Sequence, residues 1–281
     1  MTENPIFDRE LTRIRRTPGQ RALTIIYNIL LWVAGIGALI ILYRDAGDIS
    51  GIDREWTHRL YVILSLINGL LVLLLLPGLL SGSISREWEG NTFDILLVTG
   101  IPHLQIVTGK LLAGVTVALL TVVTTLPLLW VILMAGGVFH LDILLLFLLL
   151  FIMAMFTGAV SLFISALTGS TQTAMICSYA FVIINCAGVP LLSRLLQNVS
   201  PVFGFTRYIL MLNPFATLLL FLTQQTGNER AYTALFEYFG FNASGIAANN
   251  FYTISLMVQS IFCALTVIAA TAVMGKKNFR S

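Results

Sequence analysis

Six apolar runs, each about long enough to cross a bilayer and each free of Asp, Glu, Lys and Arg, dominate the chain. They cover about Ala22–Tyr43, Leu60–Leu80, Leu111–Met134, Ile143–Leu167, Ala174–Leu192 and Tyr252–Met274. A hydrocarbon core of about 30 Å needs about 20 residues of helix at about 1.5 Å per residue, which is the length repeated here. Inside lipid, every backbone N–H and C=O must find a partner within the protein, so runs of this kind fold as helices. Apolar residues make up 57% of the 281 positions and charged ones 10%, too few charges to clothe a soluble domain, where about a quarter is usual. The expectation is an all-α integral membrane protein. A six-helix transmembrane bundle over residues 22–281 follows a polar arm, residues 1–21.

Six crossings put both termini on one side, and the basic residues choose it. The arm carries Arg9, Arg13, Arg15, Arg16 and Arg21, the loop between the second and third runs carries Arg86 and Lys110, and the tail carries Lys276, Lys277 and Arg280. The opposite loops hold Arg44, Arg54, Arg59, Arg194, Arg207 and Arg230, spread over a longer stretch. The positive-inside bias therefore places both termini in the cytoplasm, and the expected location is the cytoplasmic (plasma) membrane. The arm is too polar to serve as the leading region of a cleaved signal peptide. Its Ile6, Leu11 and Ile14 can face the membrane while Arg9, Arg13 and Arg16 stay solvated, so it reads as an amphipathic helix along the inner surface, with anionic lipid as its neighbour. Between Arg207 and Thr223 another apolar stretch occurs, but Asn213-Pro214 interrupts it and a seventh crossing would strand the basic tail outside. A re-entrant or interfacial helix pair on the outer side, between spans 5 and 6, fits better.

Several chemistries are disfavoured by what the runs omit. Ion-coupled transport usually needs an ionisable group at membrane depth, and no run holds even a histidine. His58, His103 and His140 fall in loops without an H-E-x-x-H pattern, and Cys177, Cys186 and Cys263 lie inside apolar runs with no metal spacing, so neither an intramembrane enzyme nor a metal site is indicated. A membrane scaffold without transport remains a rival reading. The charge pattern does not suggest nucleic acid. The polar residues within the runs, among them Asn68, Thr121, Thr124, Thr125, Tyr179, Asn185 and Gln259, read mainly as interhelical hydrogen-bond groups. Asn68 and Asn185, near span centres, are the candidates for a pathway lining. Pro77, Pro127 and Pro190 are expected to bend helices near their ends, and Gly78-x-x-x-Gly82 permits close helix contact.

The loop SGSISREWEGNTFDILLVTGIPHLQIVTGK, residues 81–110, is too long for a turn. Asn91 or Thr92 can cap a short helix whose Phe93, Leu96 and Leu97 share one face, and Gly100 ends it. Glu87, Glu89 and Asp94 lie toward its N-terminal end, where negative charge is favoured. Pro102 then suits the first turn of a helix running through Lys110 into the third span. Such an amphipathic element either sits on lipid headgroups or is gripped by a soluble partner.

Two stretches resemble the ABC-2 class of ABC transporter permeases. One is the opening Asn4-Pro5 followed by Arg9-Glu10. The other is Glu87-x-Glu89-x-x-Thr92-x-x-x-Leu96-Leu97-x-Thr99 leading to Gly109-Lys110. The resemblance covers nearly the whole length in span number and loop placement. It implies a permease subunit of an ATP-driven transporter, an exporter by class, in which a cytoplasmic coupling helix between spans 2 and 3 docks on an ABC ATPase subunit. It would give that contact to Glu87, Glu89, Thr92, Asp94, Leu97 and Thr99, and would make the arm around Arg9 and Glu10 a connecting helix. It also implies a second permease chain, identical or similar. A phosphate-cradling loop would need glycine where Leu104 stands and Ser or Thr where Leu111 stands, so Gly109-Lys110 is not one. No cofactor is therefore expected in this chain, with ATP and magnesium held by the partner subunit.

Overall fold

The computed structural model describes residues 5–46, 54–90, 101–134, 140–199, 206–227, 234 and 250–278, and among them every regular element is helical. Twelve α-helices are labelled here in chain order. They are α1 (Pro5–Arg16), α2 (Pro18–Ala46), α3 (Arg54–Leu80), α4 (Ser85–Glu89), α5 (His103–Val123), α6 (Leu126–Met134), α7 (His140–Leu167), α8 (Thr171–Ile183), α9 (Val189–Val199), α10 (Thr206–Ile209), α11 (Pro214–Gln225) and α12 (Phe251–Asn278). Five stretches among the described residues are long and apolar enough to cross a membrane: Thr57–Glu89, His103–Val123, Leu141–Leu167, Thr171–Leu196 and Phe251–Gly275. The first expected span lies in α2, where the shorter apolar stretch Thr24–Gly37 is described.

Helices α3, α5, α7 and α12 pack against one another and hold the main core. Its centre is dense with fully enclosed Leu76, Leu80, Ile106, Leu111, Leu149 and Met153. α5 is the most enclosed crossing, 67% of its apolar window being buried, whereas the α8–α9 window is buried over only 11% and so stands at the rim of the bundle. Phe156 on α7 ties this rim inward, its ring centroid 6.4 Å from that of Phe181 on α8 and 5.7 Å from that of Phe262 on α12. Met257, Ile261, Leu265 and Ile268 form an exposed apolar stripe along α12, and Ile25, Ile29, Leu30 and Val33 do the same on α2. In water, stripes of this extent would drive association; against lipid tails they are the expected surface.

The expected close approach at Gly78 and Gly82 occurs. A Cβ on Gly78 would stand 2.8 Å from the Tyr179 hydroxyl, and one on Gly82 would stand 3.0 Å from Thr171 Cγ2. The missing side chains let α3 meet α8, where the Tyr179 hydroxyl donates to the Leu74 carbonyl at 3.1 Å.

Two prolines reshape the runs in which they stand. The third expected span, 111–134, is not one helix. It is α5 beginning at His103, behind Pro102 at the cap position, and α6 beginning at Leu126. Pro127 has no N–H to offer the carbonyl four residues back, so the α ladder breaks at Thr124–Thr125. The two threonine hydroxyls cover part of the loss, Thr124 donating to the Thr121 carbonyl at 2.6 Å and Thr125 to that of Val122 at 2.7 Å. In the fifth span, α8 passes into a π-helical turn, Ile184–Gly188, just before Pro190. The Val189 N–H reaches back to the Ile184 carbonyl, leaving that of Asn185, and Pro190 leaves that of Cys186. The Asn213 side-chain amide donates to both, at 2.9 and 3.4 Å.

Asn213 also caps α11, its side-chain oxygen accepting from the Ala216 N–H at 3.0 Å. The helical stretch after Arg207 is therefore broken at Asn213-Pro214. A short 3₁₀ turn, Leu210–Leu212, follows α10, and α11 is too short at 12 residues to cross a bilayer. Buried polar groups join α11 to α12: Gln259 donates to Thr217 at 3.0 Å and to the Met211 carbonyl at 3.2 Å.

A further expectation is corrected. The apolar face of α1 does not lie on lipid. Ile6 and Ile14 are 5% exposed, and Ile14 packs on Ala113 and Val117 of α5. An amphipathic helix serves a protein groove as well as it serves a membrane surface, and composition does not tell the two apart.

Candidate functional site

The end of the bundle that carries α1 and α4 also gathers the described residues of the loop between α3 and α5. After Leu80 the chain makes a tight turn, the Ser81 N–H bonding the Pro77 carbonyl and the Ser83 N–H the Leu80 carbonyl. It then enters the five-residue α4. So short a helix cannot hold itself, since its first N–H groups have no partners within it. Ser165, near the end of α7, supplies one: its hydroxyl oxygen accepts from the Ile84 and Ser85 N–H groups at 3.1 and 3.0 Å. Glu89 completes the fastening at the other end. It is exposed, and its carboxylate accepts from the Thr171 N–H at 2.9 Å and from the Thr171 hydroxyl, capping the N-terminus of α8. A carboxylate at that position also meets the positive end of the helix dipole.

Beneath α4 lies a buried charge cluster. Lys110, on α5, is 1% exposed, and its ammonium donates to Glu87 Oε1 at 2.8 Å, to the Ser83 carbonyl at 2.9 Å and to Glu10 Oε1 at 3.1 Å. An ammonium has three hydrogens, and all three find acceptors. Arg13 closes the set, its guanidinium 2.7 Å from Glu10 Oε2. With two cations and two carboxylates the cluster is formally neutral. That balance matters, because an enclosed charge without a partner costs several kcal/mol of desolvation that nothing returns. The four residues come from three elements: Glu10 and Arg13 from α1, Glu87 from α4, Lys110 from α5. The cluster ties the three together.

The residues singled out in the sequence thus separate. Glu87 faces inward, 7% exposed, toward Lys110, while Glu89 is at the surface. Thr92, Asp94, Leu97 and Thr99, and the helix expected around them, lie outside the described residues. Arg9 is exposed, but Glu10 beside it is 2% exposed and belongs to the cluster. Asn68 is fully enclosed between α2, α3 and α6. It accepts from the Tyr27 hydroxyl at 3.1 Å and donates to the Leu64 carbonyl, and the Thr125 hydroxyl, which donates to Val122, stands 3.3 Å away. Asn185 sits in the π turn, half-buried, far in the chain from Asn68 and without a hydrogen bond to it. Among the described residues no group of three His, Cys, Asp or Glu side chains is placed to hold a metal ion.

What sequence reasoning missed is the partnership of Lys110. The signal was present: a lone lysine opening an apolar helix, downstream of an acid-bearing loop, is either solvated or paired. Its distance of 23 residues from Glu87 and 100 from Glu10 hid which.

A family model described as ABC-2 family transporter protein matches residues 19–276. Comparison with curated proteins gives no match. The matched stretch takes in nearly the whole helical bundle, α4 and Lys110 included, so the chain belongs to the ABC-2 family of transporter proteins and is a membrane permease of the ABC transporter class.

Proposed function

We propose that this permease is the membrane subunit of an ATP-driven exporter and receives its work through the segment from Glu87 to Thr99. ATP and magnesium are held by a separate ATPase subunit docked on that segment, and two permease chains, identical or similar, enclose the pathway. Six crossings, α2 providing the first, leave both termini in the cytoplasm, with α10 and α11 as the outer-side re-entrant pair. The observation that carries the reading is the cluster around Lys110. A push on α4 meets a neutral set of charges reaching α1 and α5, and through Ser165 and Thr171 it also reaches α7 and α8. Displacement of the loop is then passed on to several helices together, which is what tilting a bundle requires. Asn68 and Asn185 serve as pathway-side groups in this reading when the bundle opens.

The test is copurification of the permease with its ATPase, together with ATP-dependent transport. Glu89→Lys and Asp94→Lys should weaken association, since both put positive charge where the permease side of the contact is proposed to be negative. Glu87→Gln should reduce thermal stability of the permease alone, because it loosens the cluster. Unchanged association and transport in the Glu89→Lys, Asp94→Lys double variant would remove the docking assignment.

A further inference from the structure

The cluster around Lys110 uses Glu10 and Arg13 of the arm, but it leaves Arg15, Arg16 and Arg21 unused. These three line a cleft of about 740 Å³ between α1, the start of α2 and α5. All three are exposed, and none forms an ion pair with a carboxylate among the described residues. Among the described residues no acidic side chain lines the cleft, and the charges at its mouth are all positive. Arg21 is held in place rather than loose. Its Nε donates at 2.6 Å to the Arg15 carbonyl, one of the carbonyls left open where α1 ends. The negative end of that helix further favours the cations gathered there.

Beyond its mouth the cleft changes character. Arg21 is the last charge before the uncharged run of α2, and the walls above it are Ile25 of α2 and Val117 and Leu120 of α5, with Thr24 and Thr124 between. From Val117 to Thr124 the wall rises about 10 Å along α5, enough for the upper half of an acyl chain. A concave site with three arginines at the boundary of an apolar run and a greasy slot above them is complementary to one kind of molecule.

We infer that the cleft between α1, α2 and α5 binds one anionic glycerophospholipid of the inner leaflet, its phosphate on Arg15, Arg16 and Arg21 and an acyl chain along Ile25 and Leu120. The lipid seats the C-terminal end of α1 against α5, on the same helix that supplies Glu10 to Lys110. Bulk attraction of a basic arm to an acidic membrane needs no cleft; this site adds shape, and the shape makes the inference testable.

The experiment is native mass spectrometry of the full-length chain in detergent, titrated with phosphatidylglycerol and, separately, phosphatidylcholine. Neither ATP nor transport enters the readout, so the result is independent of the proposed coupling. Wild type should retain one phosphatidylglycerol in preference to phosphatidylcholine. R15Q/R16Q/R21Q should lower phosphatidylglycerol retention roughly a hundredfold, at about fivefold per basic residue. Leu120→Trp, which fills the slot and keeps every charge, should lower it too, and this variant carries the test if the triple variant does not fold. R9Q/R44Q/K276Q removes the same charge elsewhere and should leave retention unchanged. Equal retention of the two lipids by wild type, a triple variant that binds as wild type does, an equal loss in the R9Q/R44Q/K276Q control, or displacement of the lipid by equimolar inorganic phosphate would each overturn the inference.

Discussion

Lys110 and Asn213 each satisfy several partners at once, and both are positions where one atom set resolves a conflict created elsewhere. Removing the Lys110 ammonium leaves Glu10 and Glu87 enclosed with like charge, so Lys110→Met should destabilise the permease by about 3–5 kcal/mol. Thermal unfolding in detergent measures it. Replacing the carboxylates as well, in E10Q/E87Q/K110M, should recover most of that loss, because the enclosed groups then carry no charge and Arg13, its side chain 35% exposed, turns to solvent. Failure to recover would mean that the cluster holds the elements together by more than charge balance. Asn213 separates into two roles by substitution. Asn213→Ser keeps an acceptor for the Ala216 N–H but cannot reach the carbonyls of Asn185 and Cys186, whereas Asn213→Ala loses both. Alanine should therefore cost about 1 kcal/mol more than serine. Hydrogen exchange in the π turn should rise equally in the two variants, since both abandon those carbonyls.

Among the elements, α5 shows most clearly what could be read in advance. Its start behind Pro102 followed from the fixed φ and missing N–H of proline, a purely local rule. Its end was marked only as a bend at Pro127, because the run stays apolar through Met134 and the full break at Thr124–Thr125 also draws on threonine hydroxyls taking over carbonyls. Periodicity likewise marked α1 as amphipathic, but whether its apolar face met lipid or protein depended on α5 offering Ala113 and Val117. α3 against α5 depends on a single small residue that drew no notice in the sequence. A Cβ on Gly114 would come within 2.6, 2.8 and 3.0 Å of three carbon atoms of the enclosed Leu80. The whole isobutyl group would have to move, so Gly114→Ala should cost about 1–3 kcal/mol, read as a lower unfolding temperature in detergent. An unshifted transition would show that α3 and α5 slide freely there.

For the whole molecule, composition carried far. Lipid exposure removes the need for a polar surface, so long charge-free runs announce the class without any tertiary information. The candidate site was half legible: the loop after Leu80 and the arm around Arg9 and Glu10 stood out, yet their junction at Lys110 required three distant elements to meet. The lysines turn that junction into a reporter. The chain has only Lys110, Lys276 and Lys277, and the last two stand in the tail, while the first is sealed beneath α4. An amine-reactive reagent should modify the tail at once and Lys110 only when the charge cluster opens. If nucleotide turnover by a bound ATPase loosens the cluster, acylation of Lys110 will quicken with it, and the permease will record its own gating without an engineered probe.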